Sequence, residues 1–178
     1  MILAPKYVLT RHFWTTPKYK QFLSSNLISK SQAHFVPLLS NIKLKDEISL
    51  PVKLSDINDN NISISQLEEM NKIQLYHLLR FYQISPFNGI TKLKERALLI
   101  HCLDNKLKTE NNNSIDTMDE REIVTQLYLR RIIFANEESI DILRERLKEW
   151  LKYSDKFYKS ENESFSLYVP VLIQGNQH

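Results

Sequence analysis

The chain is predicted to be all-α, a helical bundle, and three observations carry that expectation. Glycine is scarce, with only Gly89 and Gly175 among 178 residues. Phosphate-cradling loops and β-hairpin turns lean on glycine's tolerance of positive φ, so nucleotide-binding α/β folds and all-β folds are disfavoured. Apolar residues recur at i, i+3, i+4 and i+7 in several segments, the period of one helix face. Cap signatures stand before those segments.

Taken in order, Thr16-Pro17 reads as a helix start, with Tyr19, Phe22, Leu23 and Leu27 following at helical spacing. Pro37 interrupts, so residues 17–42 read as one helix broken near Ala33–Pro37 or as two short ones. From Asp46 to Asn61 the composition shifts to Asp, Asn, Ser and Pro with little periodicity, and residues 46–64 read as a linker or surface loop. The rest, 65–178, reads as one helical domain.

Ser65 with Glu68 and Asn71 with Gln74 form successive capping boxes. Leu75, Leu78, Leu79 and Tyr82 then make one apolar face, and Ile84–Gly89 stops that helix. Thr91 reads as the cap of a helix with Leu93, Ala97, Ile100 and Leu107 on its inner side. After a polar loop at Asn111–Ser114, Thr117 with Glu120 reads as a third box, ahead of Ile123, Val124, Leu127 and Tyr128. Ser139 caps a long helix striped by Ile140, Leu143, Leu147, Trp150 and Leu151. The tail is open. Phe165, Leu167, Val169, Val171 and Ile173 alternate like a strand and Pro170 disfavours a helix interior, whereas Ser160 with Glu163 forms a fourth capping box.

A degenerate repeat underlies these elements. Met70–Tyr82, a loop and Leu93–Leu103 align with Met118–Arg130, a loop and Leu143–Leu151, giving two helix–extended loop–helix units. Helices of about a dozen residues are marginal alone in water, so the two units are expected to pack into one cooperative bundle.

Charge is distributed unevenly. Seven of the 24 Lys/Arg and none of the 21 Asp/Glu lie in residues 1–45, which leaves 46–178 at net −4. Such a basic arm suits anionic lipid or nucleic-acid phosphate. A lone cysteine, Cys102, excludes an internal disulfide framework. No run of about 18 apolar residues is present, so no complete transmembrane helix is expected.

The sequence offers no catalytic constellation. His77 and His101 sit on predicted helices without partners at metal-ligand spacing, and both read as structural. Asp56–Asn61 echoes the start of an EF-hand loop, but Asn61 replaces the turn glycine and Leu67 the bidentate glutamate. Neither a nucleophile motif nor a phosphate loop is found. The expectation is a protein that is not an enzyme, with no cofactor and no small-molecule substrate.

Basic residues flank the extended loops: Arg80, Lys92, Lys94 and Arg96 at the first, Arg130 and Arg131 before the second, with Arg144 and Arg146 beyond it. With Phe81 and Tyr82 they suit an RNA-facing surface. They equally suit a solvated helix face laced with charge pairs, because Glu95, Glu145 and Glu149 are interspersed.

Two stretches carry a resemblance to a family. Leu3-Ala4-Pro5-Lys6-Tyr7-Val8-Leu9-Thr10-Arg11-His12-Phe13-Trp14-Thr15 resembles the segment following the transmembrane helix in the shorter animal members of the mitochondrial LETM family. Leu78-Leu79-Arg80-Phe81-Tyr82 with Pro86-Phe87, then Leu93 to Leu103, then Leu143-Arg144-Glu145-Arg146-Leu147-Lys148-Glu149-Trp150-Leu151 is similar to the LETM-type ribosome-binding domain. The resemblance implies a 14-3-3-like helical fold on the matrix side of the inner mitochondrial membrane, in contact with mitochondrial ribosomes, and a part in mitochondrial organisation. It implies a helical tail despite Pro170, and it sets Lys6, Arg11 and Trp14 close to anionic lipid. The ribosome-facing candidates are Arg80, Lys92, Lys94, Arg96, Arg130 and Arg131; protein partners are a further expectation. The span the family carries upstream is not in this sequence, nor are its calcium-loop and coiled-coil extensions. Two alternatives stand beside this reading: a component or regulator of mitochondrial cation/proton exchange, and a SAP-like nucleic-acid-binding module, to which the helix–loop–helix repeat is similar.

Overall fold

Seven α-helices and one two-stranded ladder make up the computed structural model, which describes residues 14–40, 42–45, 48–109, 113–159 and 162–175. The helices are α1 (Thr16–Leu39), α2 (Lys72–Phe81), α3 (Gly89–Thr109), α4 (Asn113–Thr117), α5 (Glu120–Leu129), α6 (Ile140–Tyr158) and α7 (Glu163–Leu172). Strands β1 (Lys43–Leu44) and β2 (Ile62–Ser63) pair antiparallel, Lys43 opposite Ser63 and Leu44 opposite Ile62. The all-α bundle is therefore the architecture, with the ladder a minor clip.

Helix α1 does not break at Pro37. The proline falls in the last turn, where only one intrahelical donor is lost, and the end is closed by Ser40, whose N–H donates to Val36 O and whose hydroxyl donates to Pro37 O. Along its inner face Leu23, Leu27, Phe35, Leu38 and Leu39 are buried.

The segment read as a linker or surface loop is irregular, but it is packed onto the bundle. Val52, Leu54, Ile57 and Ile62 are buried, the Val52 N–H donates to Leu172 O at 2.9 Å, and a 3₁₀ turn at Leu54–Asp56 rests on α6. Its polar residues bond one another: Asn58 Oδ1 accepts from the Asn61 N–H at 3.0 Å and Asn61 Nδ2 donates to Asp56 O. Polar composition hid these apolar anchors, which are spaced too widely to show a period.

Three expected caps move. Ser65 precedes, and Glu68 lies in, a turn ahead of α2, whose cap is Asn71, with Oδ1 accepting from the Gln74 N–H at 2.8 Å. Thr91 lies inside α3, because the 3₁₀ turn Pro86–Asn88 runs straight into that helix through Gly89 at φ +63°. Helix α5 is capped by Asp119, not Thr117, in a reciprocal box: Asp119 Oδ1 accepts from the Glu122 N–H at 2.8 Å, and Glu122 Oε2 accepts from the Asp119 N–H at 2.9 Å. Ser139 caps α6 as expected, though at a long 3.5 Å. Ser160 lies outside the described residues; α7 is capped by Asn162, whose Oδ1 accepts from the Ser164 N–H.

The tail is a helix, not a strand. Phe165 and every residue from Leu167 to Leu172 are buried in α7, which lies against α1, α3 and α6. A helix enclosed on nearly all sides has no polar face to reveal a 3.6 period, which is why alternation misled. Pro170 is accommodated in its last turn, and its carbonyl accepts from Gln174 Nε2.

The repeat is real in three dimensions. Both first helices are ten residues long and start 48 positions apart, at Lys72 and Glu120. Each ends on a non-glycine residue at positive φ, Gln83 at 57° and Arg131 at 60°. The next N–H then returns to the helix, Ile84 to Leu79 O at 2.8 Å and Ile132 to Leu127 O at 3.0 Å, a Schellman closure in both units. In the second helices all five buried positions of α3 recur in α6 at an offset of 50, Leu93 with Leu143, Ala97 with Leu147, Ile100 with Trp150, Asp104 with Ser154 and Leu107 with Phe157, and α6 adds Leu151.

The mismatch at Asp104 builds the main polar contact of the core. Its carboxylate takes three hydrogen bonds: Oδ1 accepts from Arg130 Nε at 2.8 Å, with Nη2 in ion-pair contact at 2.6 Å, and Oδ2 accepts from Trp150 Nε1 at 3.0 Å and the Tyr158 hydroxyl at 2.9 Å. Arg130 Nη1 donates to Gln126 O and Oε1. Helices α3, α5 and α6 thus meet at one buried ion pair, each charge facing its opposite as burial requires. Burial and then the Asp104 carboxylate push the Tyr158 phenol well up, so it stays a donor.

Candidate functional site

The structure separates the six ribosome-facing candidates into two groups. Arg130 and Arg131 are enclosed, at 0% and 3% exposure. Arg130 belongs to the Asp104 cluster. Arg131 donates from Nη2 to Ser31 Oγ at 3.0 Å and lies against the rings of Phe81 and Tyr128, and burial draws its pKa down. Neither presents a guanidinium to a partner in this arrangement. They link the second unit to α3 and α1, a structural role that charge pattern alone did not distinguish from an exposed one.

Arg144 and Arg146 are also tied to their own unit. Arg144 Nη2 donates to Met118 O at 2.9 Å, and Arg146 pairs with Glu138 and donates to Ile133 O at 3.0 Å. Burial alone would raise the Glu138 carboxyl, but Arg146 and the Ala135 N–H outweigh it and the net shift is down.

Around the first loop the cations face outward. Arg80 is exposed at the end of α2, and Lys92 is exposed on the first turns of α3, paired with Glu95. Arg96 is half-buried, and among the described residues neither it nor Arg80 has an ion-pair partner. Lys94 instead joins Glu68 at 2.8 Å and Glu163 at 3.1 Å, which raises its pKa through those two contacts and clips α3 to the start of α7. The difference is visible in the sequence once the units are aligned: residues 72–100 hold Lys72, Arg80, Lys92, Lys94 and Arg96 against one acid, Glu95, whereas acids outnumber bases in 119–150.

Lys92, Glu95, Arg96 and Leu99 of α3 and Gln83, Ile84, Ser85 and Asn88 of the loop border an open groove of about 510 Å³. Gln83 is held in place, donating from Nε2 to Asn26 Oδ1 at 2.7 Å and accepting at Oε1 from the Tyr128 hydroxyl at 3.1 Å. Between the lining residues Ser85 and Asn88 stands Phe87, 99% exposed. The aromatic of the second loop, Phe134, falls one position earlier in register and is buried, and its carbonyl accepts from Ser24 Oγ at 2.7 Å. Sequence reading placed Phe87 in a helix-stopping segment and missed it as a site residue. The available signal was an aromatic between Pro86 and Gly89, in a turn too short to fold the ring back.

Of the residues expected near a membrane, Lys6 and Arg11 lie outside the described residues. Trp14 packs edge-on to Phe22 at 5.0 Å, and its carbonyl accepts from Arg121 Nη1 at 3.0 Å, which anchors the start of α1 to α5. Among the described residues no helix is long and apolar enough to cross a membrane. No group of three or more His, Cys, Asp or Glu converges there in a metal-binding arrangement. His77 meets His34 across α2 and α1, Nδ1 to Nδ1 at 3.0 Å, and His101 packs on the Tyr158 ring at 4.1 Å.

A family described as LETM1-like, RBD has a sequence model that matches residues 52–170, which is more than half of the chain. The chain matches no curated protein and no solved structure.

Proposed function

Because the chain belongs to the LETM1-like, RBD family, a family of ribosome-binding domains and not of catalysts, we propose that it is a non-catalytic module that binds mitochondrial ribosomes. On this reading it works at the matrix face of the inner mitochondrial membrane, with Lys6 and Arg11, ahead of α1, directed at anionic lipid. The observation that carries the reading is the family match across the helical body, from residue 52 to 170. The surface chemistry supports it. Arg80 and Arg96 reach the surface beside the first loop without an ion-pair partner among the described residues, while most of the other described arginines are spent on internal contacts.

Co-sedimentation of the purified protein with mitochondrial ribosomes over a salt series tests this. Binding is expected at low salt and should weaken steeply as salt rises, since phosphate contacts release counterions. Failure to sediment at the lowest salt would remove the ribosome from the reading.

A further inference from the structure

Resting on the ribosome reading, we propose that the first loop is a single-stranded RNA platform, on which Phe87 stacks an unpaired base while Arg96 and Lys92 take the flanking phosphates. Four observations place the chemistry there. Phe87 gains nothing from the fold, being 99% exposed, whereas the other seven phenylalanines include five that are buried. Its backbone is held in a defined turn: Pro86 fixes the first φ of the 3₁₀ turn, the Asn88 N–H donates to Ser85 O at 3.0 Å, and Gly89 at φ +63° turns the chain into α3. With the backbone already fixed, stacking costs only the ring's own two torsions. The adjoining groove carries Arg96 without an ion-pair partner among the described residues, and Lys92, whose tie to Glu95 is exposed and therefore readily exchanged. Finally, Leu99 gives the groove one apolar wall, 46% exposed, against which a second base fits.

Charge complementarity selects the occupant. A segment with one acid among six charged residues suits a polyanion, and a protruding aromatic beside cations is the arrangement used for unpaired bases. Duplex RNA hides its base faces, so the platform discriminates against it.

The test measures fluorescence anisotropy of the whole protein with labelled oligouridine of roughly a dozen nucleotides, and with the matching duplex, beside ribosome co-sedimentation. The unpaired strand is expected to bind more tightly than the duplex. Phe87→Ala and Phe87→Leu should each weaken it by about five- to hundred-fold, the loss expected for one stacked base, and Phe87→Trp should retain it. Arg96→Ala should instead flatten the salt dependence by about 0.7 in the log–log slope, one phosphate's share for a single strand. Unchanged melting curves for the Phe87 variants check that the fold is intact. Equal oligouridine binding by wild type and Phe87→Ala overturns the platform even when ribosomes still sediment. Loss of ribosome binding in Phe87→Ala with retention in Phe87→Leu also overturns it, because an aliphatic side chain then suffices and the contact is with protein. Phe87-dependent RNA binding without any ribosome sedimentation supports the platform and counts against the ribosome reading alone.

Discussion

At the scale of single residues, one half-buried and one buried polar contact set how the protein responds to pH and mutation. His34 on α1 faces His77 on α2, with Arg80 and Arg131 near by; burial first and then these three neighbours hold its pKa below 6.5. The neutral ring is favoured in the fold, so the unfolded chain binds the proton first as pH falls. Stability is expected to be flat above neutral pH and to decline as pH drops through 6.5 towards the lower folded value. His34→Gln should remove much of that slope in urea titrations between pH 7.5 and about 5; an unchanged slope would assign it to other groups. The Asp104 cluster gives a larger effect. Asp104→Ala leaves the Arg130 charge enclosed without its carboxylate, and breaking a buried pair costs about 3–5 kcal/mol. The double variant Asp104→Leu with Arg130→Met should recover much of that loss, since replacing both partners by apolar groups removes the stranded charge. Chemical denaturation of both variants reads the difference.

At the scale of elements, each helix-start signal is a local chemical claim, and the structure puts values on the ones that hold. Asn71→Ala and Asp119→Ala are each expected to lower stability by about 1 kcal/mol, through loss of the bond to Gln74 and of the reciprocal box with Glu122. A cap loss near zero at Asp119, read by thermal unfolding, would mean that packing alone fixes the start of α5. The existence and faces of α2, α3, α5 and α6 were legible because each is half-exposed, so its apolar period survives in the sequence. Cap positions slipped by a few residues where two candidate caps stood close together, as with Thr117 and Asp119. Helix α7 was not legible from its pattern, since enclosure erases the polar face, and the resemblance supplied what periodicity could not. The site divided in the same way. Sequence could place Arg80, Lys92 and Arg96 beside a loop, yet it could not separate them from Arg130 and Arg131, whose burial depends on Asp104 and Ser31, distant in the chain.

At the scale of the whole molecule, the family match begins at residue 52, but the folded body extends beyond it on the N-terminal side. Helix α1 lies before the match and packs on α2, α5 and α7. It inserts Leu27 and Leu38 completely into the core. Its polar residues close gaps in the other units: Lys20 pairs with Glu120 at 2.9 Å, Ser24 Oγ donates to Phe134 O, and Ser31 Oγ accepts from Arg131. A polypeptide of residues 49–175 therefore exposes one side of α2, α5 and α7 and leaves Arg131 without the Ser31 hydroxyl. Burying one leucine is worth about 1.5–3 kcal/mol, and α1 contributes several against a total stability that is ordinarily about 5–15 kcal/mol. The shortened chain is expected to lose its cooperative thermal transition while keeping some helical circular dichroism. Adding a synthetic α1 peptide, residues 14–40, should restore the transition in a concentration-dependent way, as mass action requires of a binding partner. A sharp transition in residues 49–175 alone, at the melting temperature of the full chain, would show that α1 rides on the surface of an independent domain and would move the boundary of the folding unit to the edge of the family match.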